Sequence, residues 1–407
     1  MIRPYDKDRD RGAGRRIWTE CGWLDDIEPE LMDAYVDCGR AWVAELNGSA
    51  ECLCLAGDGD FQYMGNWLSL GAITGVTTSH IGRKQGLAGR LLAHALASEA
   101  SDGKTLSMLG MFEQGYYDRL GFGSGAYHLI WEFDPSDLNV KSRHPAPERI
   151  TQSDFQAVHD ARLKRMRSHG NVNLLHSENT RHNMFGSKDR FGLGYRDTEG
   201  NITHCLWINP KDMESGPYRV LWTVFETYDQ FLQLLSILKS LGDQINSVIM
   251  EEPAGIQLQD FLKQPLKRME VSKGSKFKTT IHTLAYYQSR ILNLEDALAQ
   301  TQLDCKEFHF NLSLTDPVTS FLQDESEWNG LQGEYVVSLG SKCRVETGSL
   351  GALPTLEASV GAFTRMWMGV RPASGLAVSD NISGPPDLMK NLDRAFRLPV
   401  PYPDWDF

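Results

Sequence analysis

The chain has 407 residues, 41% of them hydrophobic, with 53 acidic and 41 basic side chains for a net charge of −12. This acidic balance disfavours nucleic acid, whose phosphates need a basic surface, and is compatible with a cationic substrate. No apolar run approaches the length that spans a bilayer, and seven unevenly spaced cysteines make no disulfide framework. The expectation is a cytoplasmic protein of two or three domains with no nucleic-acid, membrane or metal partner; its charged opening, Met1-Ile2-Arg3-Pro4-Tyr5-Asp6-Lys7-Asp8, does not fit a signal peptide.

Two helices are expected over residues 8–18 and 31–38. A hairpin of strands 42–46 and 51–56 follows around Asn47-Gly48, a dipeptide suited to a tight turn. Cys52 and Cys54 share one face of the second strand; without a further Cys/His pair they read as small core residues rather than metal ligands. A β-branched stretch, 73–78, runs through Ser79-His80-Ile81-Gly82-Arg83-Lys84-Gln85-Gly86 into a helix-patterned segment starting at Leu87. Strand, basic loop and helix start bring free N–H groups, the positive end of a helix dipole and two cations to one point, which suits a diphosphate. Gly86 would let the backbone approach the phosphates without an intervening Cβ. The loop carries neither G-x-x-x-x-G-K-[ST] nor G-x-G-x-x-G. Residues 105–111 read as a buried strand, followed by Gly115-Tyr116-Tyr117-Asp118-Arg119-Leu120-Gly121-Phe122-Gly123 and a strand over 127–133.

Arg83, Gly86 and Ala88 form R-x-x-G-x-A, which resembles the pyrophosphate loop of the GNAT acetyltransferases. Tyr117, Arg119, Gly121 and Phe122 form Y-x-R-x-G-F, which resembles the signature after the fifth strand of that family. The resemblance implies acetyl-CoA as co-substrate. On its own residues the second motif also fits a packed aromatic turn in which Tyr117 buries its ring.

Residues 134–147, rich in Pro, Lys and Arg, look like a linker. Thr151-Gln152-Ser153-Asp154 then precedes a helix over 155–164, with strands 202–208, 219–225 and 247–250 and a helix over 228–241. This set resembles a degenerate second GNAT half; it lacks an R-x-x-G-x-A loop, so no acetyl-CoA site is expected there. Beyond residue 281 a helix is expected to begin at Ser289, then strands 308–314, 333–339, 342–346 and 355–359, then a helix over 360–368. That order resembles a sterol carrier protein-like domain. The fold expected is α/β (α+β): two tandem GNAT-like mixed-sheet domains, 1–146 and 147–285, and a sterol carrier protein-like domain, 286–407, whose end reaches the active site. The combination resembles the enhanced intracellular survival (Eis) type of acetyltransferase.

That resemblance implies a homo-oligomer, a hexamer, acetylating a primary amine of a small molecule or peptide. It assigns Val76 and Thr78 to the pantetheine arm, Arg83, Lys84, Gly86, Leu87 and Ala88 to the pyrophosphate, and Tyr117 to protonation of the leaving thiolate. It assigns the terminal carboxylate of Phe407 to deprotonation of the amine, although a free α-carboxylate has a pKa of about 3.5 and is a poor base unless desolvated. Trp405, Phe407 and the prolines of the tail suit docking; a frayed terminus is the alternative. Asp26 and Asp406 match acidic residues of the amine pocket, while Asp25 and Asp26 equally suit a helix cap. The pattern departs from the family at Lys84-Gln85, at His80, read as a surface turn residue, and at Phe112, where a small polar residue often helps hold the coenzyme arm. The alternative function is a non-catalytic protein that binds coenzyme A or an apolar ligand.

Overall fold

The computed structural model describes residues 1–24, 28–141, 143–265, 279–322 and 326–407. They form two compact units: residues 1–126, 169–176 and 285–407 make the first, and 127–168 with 177–284 the second. The first unit opens with β1 (Ile2–Pro4), α1 (Lys7–Glu20), α2 (Pro29–Asp37), β2 (Arg40–Leu46), β3 (Ser49–Tyr63), β4 (Asn66–Thr78), α3 (Leu87–Ser101), β5 (Leu106–Gly110) and β6 (Gly123–Ser124). The second takes β7 (His128–Phe133), β8 (Glu148–Ile150) and α4 (Phe155–Lys164); β9 (Val172–Leu174) belongs to the first. Then α5 (Ser177–Phe185), β10 (Phe191–Arg196), β11 (Ile202–Pro210), β12 (Tyr218–Val224), α6 (Tyr228–Ser240), β13 (Val248–Glu251) and β14 (Thr280–Leu284) complete the second. The remainder is again first unit: β15 (Tyr287–Ile291), α7 (Leu294–Ala299), β16 (Phe308–Thr315), β17 (Gly333–Leu339), β18 (Arg344–Thr347), β19 (Thr355–Ser359), α8 (Val360–Trp367), α9 (Ala373–Ser379), β20 (Ile382–Ser383) and α10 (Pro386–Ala395).

Three mixed sheets result, the mixed α/β architecture expected from the sequence. The first runs β1-β2-β3-β4-β5-β15-β6, with β9 added to β3; only β4 and β5 are parallel. Its hairpin forms as the sequence implies, with Asn47 at φ 52° and Gly48 at φ 83°. Alternation along β3 buries both faces. Cys52 and Cys54 pack under Leu87, Leu91, Leu92 and Leu96 of α3, while Leu53 and Leu55 meet Ile17 and Trp18 of α1 and Met32 and Val36 of α2. The second unit's sheet, β14-β7-β13-β12-β11-β10-β8, is likewise covered on both faces, by α6 through Phe231, Leu234 and Leu235 and by α4 through Val158.

Two sequence expectations need correcting. The strand over 127–133 does not join the first sheet: β7 lies between β13 and β14 of the second. The helix expected from Ser289 is instead the strand β15, paired with β5 and β6, and the helix α7 starts only after Asn293, whose side chain accepts from the Asp296 N–H. All five residues of β15 are buried, and a short apolar run in a sheet centre has no period that separates it from helix.

The five-stranded sheet β18-β17-β16-β19-β20 lies in the same unit as the first sheet and is tied to it by specific contacts. Tyr63 stacks on Trp367 with centroids 4.3 Å apart and donates to its carbonyl at 2.8 Å. Arg290 of β15 pairs with Asp316 at 2.6 Å, both side chains fully buried, and Arg290 also donates to the Leu120 carbonyl.

Candidate active site

Beside β4 the first sheet opens. β4 pairs with β5 only from Leu70 to Ile73, so among the described residues the five beyond have β3 alone as strand neighbour. Within that stretch Gly75, at φ 61°, sits in a bulge that sets two residues of β4, Gly75 and Val76, against one of β3, Cys54, and a Cβ there would lie 2.0 Å from Leu55. Bulges re-aim a strand's side chains. From this one onward, Val76 and Thr78 are half-exposed on one side and Thr77 is buried on the other.

The loop that follows is fixed at its base. The Ser79 N–H donates to the Glu51 carbonyl at 2.9 Å, and the Gly82 N–H to the Ser79 hydroxyl at 3.1 Å. Arg16 of α1 binds the buried Glu51 carboxylate at 2.9 Å and Glu20 at 3.2 Å, and Glu20 accepts the His80 N–H at 2.6 Å. His80 thus contributes its backbone while its ring stays exposed. Lys84 (φ 62°) and Gly86 (φ 72°) turn left-handed ahead of α3. No side chain caps α3, and no acidic residue lies in its first turn. The first N–H groups of the helix therefore face open space beside Arg83 and Lys84, an arrangement that attracts anions. No atom of the described residues lies within 4 Å of a Cβ built on Gly86, so its backbone conformation calls for glycine.

Across the opening, the turn after β5 carries Tyr117 at the start of a single helical turn, Asp118–Leu120, closed by Gly121 at φ 80°. A Cβ on Gly121 would meet Arg290 at 2.8 Å and Asp316 at 2.9 Å, so this glycine serves both the turn and the buried ion pair behind it. Tyr117 is 2% exposed, its ring edge-on to Phe112, Tyr116 and Phe122 at 5.0–6.2 Å. Its hydroxyl has no hydrogen-bond partner among the described residues. Burial, helped by the neighbouring Cys54 and by Tyr116 and Tyr286, pushes its pKa above the ordinary tyrosine value, so the phenol is protonated at neutral pH.

A cavity of about 920 Å³ joins these parts. Val76, Thr78, Arg83, Lys84, Gly86, Leu87, Ala88 and Tyr117 all line it. Trp23, just before Asp26 in the loop after α1, lines it as well, and sequence reasoning missed other walls: Cys21, Glu113 and Tyr116 near the tyrosine turn, and Phe321. Phe112, singled out only as a departure from the family, is another wall and 76% exposed. Asp26 lies outside the described residues. Asp406 and Phe407 do not line the cavity, but the tail docks in the same unit. Trp405 is fully buried, and the Tyr287 hydroxyl bonds the Trp405 carbonyl at 3.2 Å and Asp406 at 3.0 Å. The Phe407 ring lies 6.0 Å from that of Tyr287. Upstream in the tail, Asp404 accepts the Val172 N–H at 3.1 Å and Asn171 binds the Tyr402 carbonyl at 2.7 Å. Tyr286 bridges the two regions: its ring covers Gly110 at the end of β5, and it lies near both Tyr117 and Asp406. Among the described residues no group of three or more His, Cys, Asp or Glu side chains could hold a metal ion. No described helix is long and apolar enough to cross a membrane.

Comparison with known proteins gives the family of the domain that holds this cleft. The family model for the acetyltransferase (GNAT) domain matches residues 22–125, the segment that contains both the loop and the tyrosine turn. The chain carries a GNAT acetyltransferase domain. Its enzyme class is therefore acyl-CoA-dependent N-acetyl transfer, with acetyl-CoA the donor that the family uses. Solved structures match over the whole chain. A probable N-acyltransferase from Enterococcus faecalis V583 has a TM-score of 0.80 and 16% identity, covering 100% of this chain and 99% of its own. A GCN5-related N-acetyltransferase from Anabaena variabilis reaches 0.79 at 14% identity, and Eis1 from Mycobacterium abscessus 0.75 at 15%, each with full coverage of both chains. At such identities these likenesses establish the shared fold. No curated protein matches the chain in sequence.

Proposed function

We propose that the first unit transfers the acetyl group of acetyl-CoA to a primary amine, on a small cationic molecule such as an aminoglycoside or polyamine or on a peptide lysine. The observation that carries this reading is one cleft holding both an uncapped basic helix start and, across from it, a tyrosine hydroxyl without a partner among the described residues. The helix start and Arg83 and Lys84 take the diphosphate, and the free edge of β4 at Val76 and Thr78 takes the pantetheine amides. The amine nitrogen then attacks the thioester carbonyl, the C–S bond breaks, and the departing sulfur takes the proton of Tyr117. The amine's own proton passes to the Phe407 carboxylate, which the Tyr287 anchor keeps in the unit. Holding donor and acceptor together contributes about 7–11 kcal/mol when alignment is good. Asp406 and Asp26 supply negative charge for a cationic acceptor. The five-stranded sheet with α8 is read as the sterol carrier protein-like domain, on the order of its elements. The family resemblance also carries the homo-oligomer, a hexamer, and the cytoplasmic setting.

Tyr117→Phe should lower kcat about a hundred-fold, as loss of a general acid does, with coenzyme affinity unchanged. Because burial raises the Tyr117 pKa, its proton is kept to higher pH than in an ordinary tyrosine. Alkaline loss of rate below about pH 10 should therefore not change in shape in that variant. Deleting Phe407, or extending the chain beyond it, should cut kcat while leaving coenzyme binding intact. Normal turnover by an extended chain rules out the carboxylate's role, and normal turnover by Tyr117→Phe rules out the phenol as acid.

A further inference from the structure

The coenzyme cleft has a wall that its own domain does not supply. Phe321 follows β16 by six residues, lies far outside the 22–125 domain match, and lines the cavity together with Arg83, Lys84 and Gly86. The buried Asp316 holds its segment in place. That carboxylate accepts from Arg290, from the Val318 N–H at 3.2 Å and from the Leu331 N–H at 2.9 Å. Val318 is buried in the core beneath α3, and Trp328 is fixed nearby by a bond to the Leu292 carbonyl at 3.2 Å. Phe321 itself is only half-buried, so part of its ring is open to the cleft.

The contact with α3 is sequence-specific. Gly89 is the third residue of the helix, where glycine is unfavourable compared with alanine. A Cβ at that position would stand 3.0 Å from the Phe321 ring, closer than ordinary packing allows. The glycine lets the ring close on the helix within one turn of the diphosphate-binding N–H groups. The direction of the ligand gives the ring a task. Its acyl end is fixed by Tyr117 and its diphosphate by the helix start, so the nucleotide must continue past the start of α3, where Phe321 stands. A flat apolar ring beside a phosphate site suits a purine base.

We propose that Phe321 stacks against the adenine nucleotide end of the coenzyme, so that the C-terminal part of the first unit supplies part of the donor site. This rests on the acetyl-CoA reading above. The test compares affinities of the full-length protein for coenzyme A and for 4′-phosphopantetheine, which lacks the nucleotide, by calorimetry. Phe321→Ala should weaken coenzyme A roughly ten-fold, as loss of one base–aromatic stack does, and leave 4′-phosphopantetheine unchanged. Phe321→Trp should keep most of the affinity for coenzyme A and Phe321→Leu should lose most of it, although Leu preserves apolar packing on α3. Equal weakening of both ligands, or rescue by Leu as complete as by Trp, would make Phe321 a packing residue and overturn the proposal, as would a Phe321→Ala protein that binds coenzyme A normally. Failure of the unaltered protein to bind coenzyme A at all would instead overturn the acetyl-CoA reading, and this proposal with it.

Discussion

Each unit contains the same connection, a strand followed by a helix and then a parallel strand, and the two helix starts are built in opposite ways. In the second unit β12, α6 and β13 make the crossover. There Thr227 caps α6, its hydroxyl accepting the Gln230 N–H, while the Gln230 side chain accepts the N–H groups of Glu226 and Thr227 at 2.6 and 3.2 Å. Asp229 adds an acid in the first turn. That helix has a capping box at its start and an acid that compensates its dipole. In the first unit α3 has a left-handed glycine at its cap, no side chain on its N–H groups, no acid in the first turn and two cations ahead of it. One crossover carries its own cap and acid; on the function proposed above, the other takes the coenzyme's diphosphate instead. Neighbouring elements hold the two walls of the cleft: α1 holds the loop through Arg16, and β15 holds the tyrosine turn through the Arg290–Asp316 pair behind it.

This contrast can be attacked from several directions. The largest effect should come from Arg290→Met, which leaves the Asp316 carboxylate buried without its partner. Loss of one member of such a pair costs about 3–5 kcal/mol, so a denaturant titration should show the first unit strongly destabilised. Pairing it with Asp316→Leu should recover much of the loss, because no uncompensated charge then remains. Next, reversing the charges with Arg83→Glu and Lys84→Glu should weaken coenzyme A roughly a hundred-fold with the melting temperature unchanged, two charge-assisted contacts having been lost. An equal shift in melting temperature would mean that the loop is structural. Gly86→Ala forces a left-handed alanine and should cost about 1–2 kcal/mol, seen as weaker coenzyme binding, lower stability or both. The smallest effect belongs to the capped helix. Thr227→Ala should lower stability by about 1 kcal/mol and leave coenzyme affinity untouched. If Thr227→Ala weakens coenzyme binding as Gly86→Ala does, the division of labour between the two crossovers is wrong.

The sequence showed the parts whose signal is local. The Asn47-Gly48 turn, the strand into Arg83 and Lys84, the helix from Leu87 and the Tyr117 turn each depend on residues next to one another, and all formed where expected. Contacts joining distant segments were not legible. Nothing near Tyr286, Tyr287 or Arg290 announces that β15 would enter the first sheet beside β5, because a fully buried strand has no alternation. The same blindness hid β7's place in the second sheet, since strand pairing is settled by register across more than a hundred residues. Phe321 was missed for a further reason: its neighbour Gly89 reads in sequence only as a weak spot in a helix, and the ring that needs the space comes from 232 positions later in the chain.

The most direct test is thiol release from acetyl-CoA by the untagged protein, measured against a panel of aminoglycosides, polyamines and lysine peptides. The account predicts turnover with at least one of these amines, with one acetylated amine formed per thiol released and kcat/KM for acetyl-CoA lowered roughly a hundred-fold by reversing the charges of Arg83 and Lys84. Tight coenzyme A binding without thiol release for any amine would contradict it, and would make this cleft a coenzyme-binding site that transfers nothing.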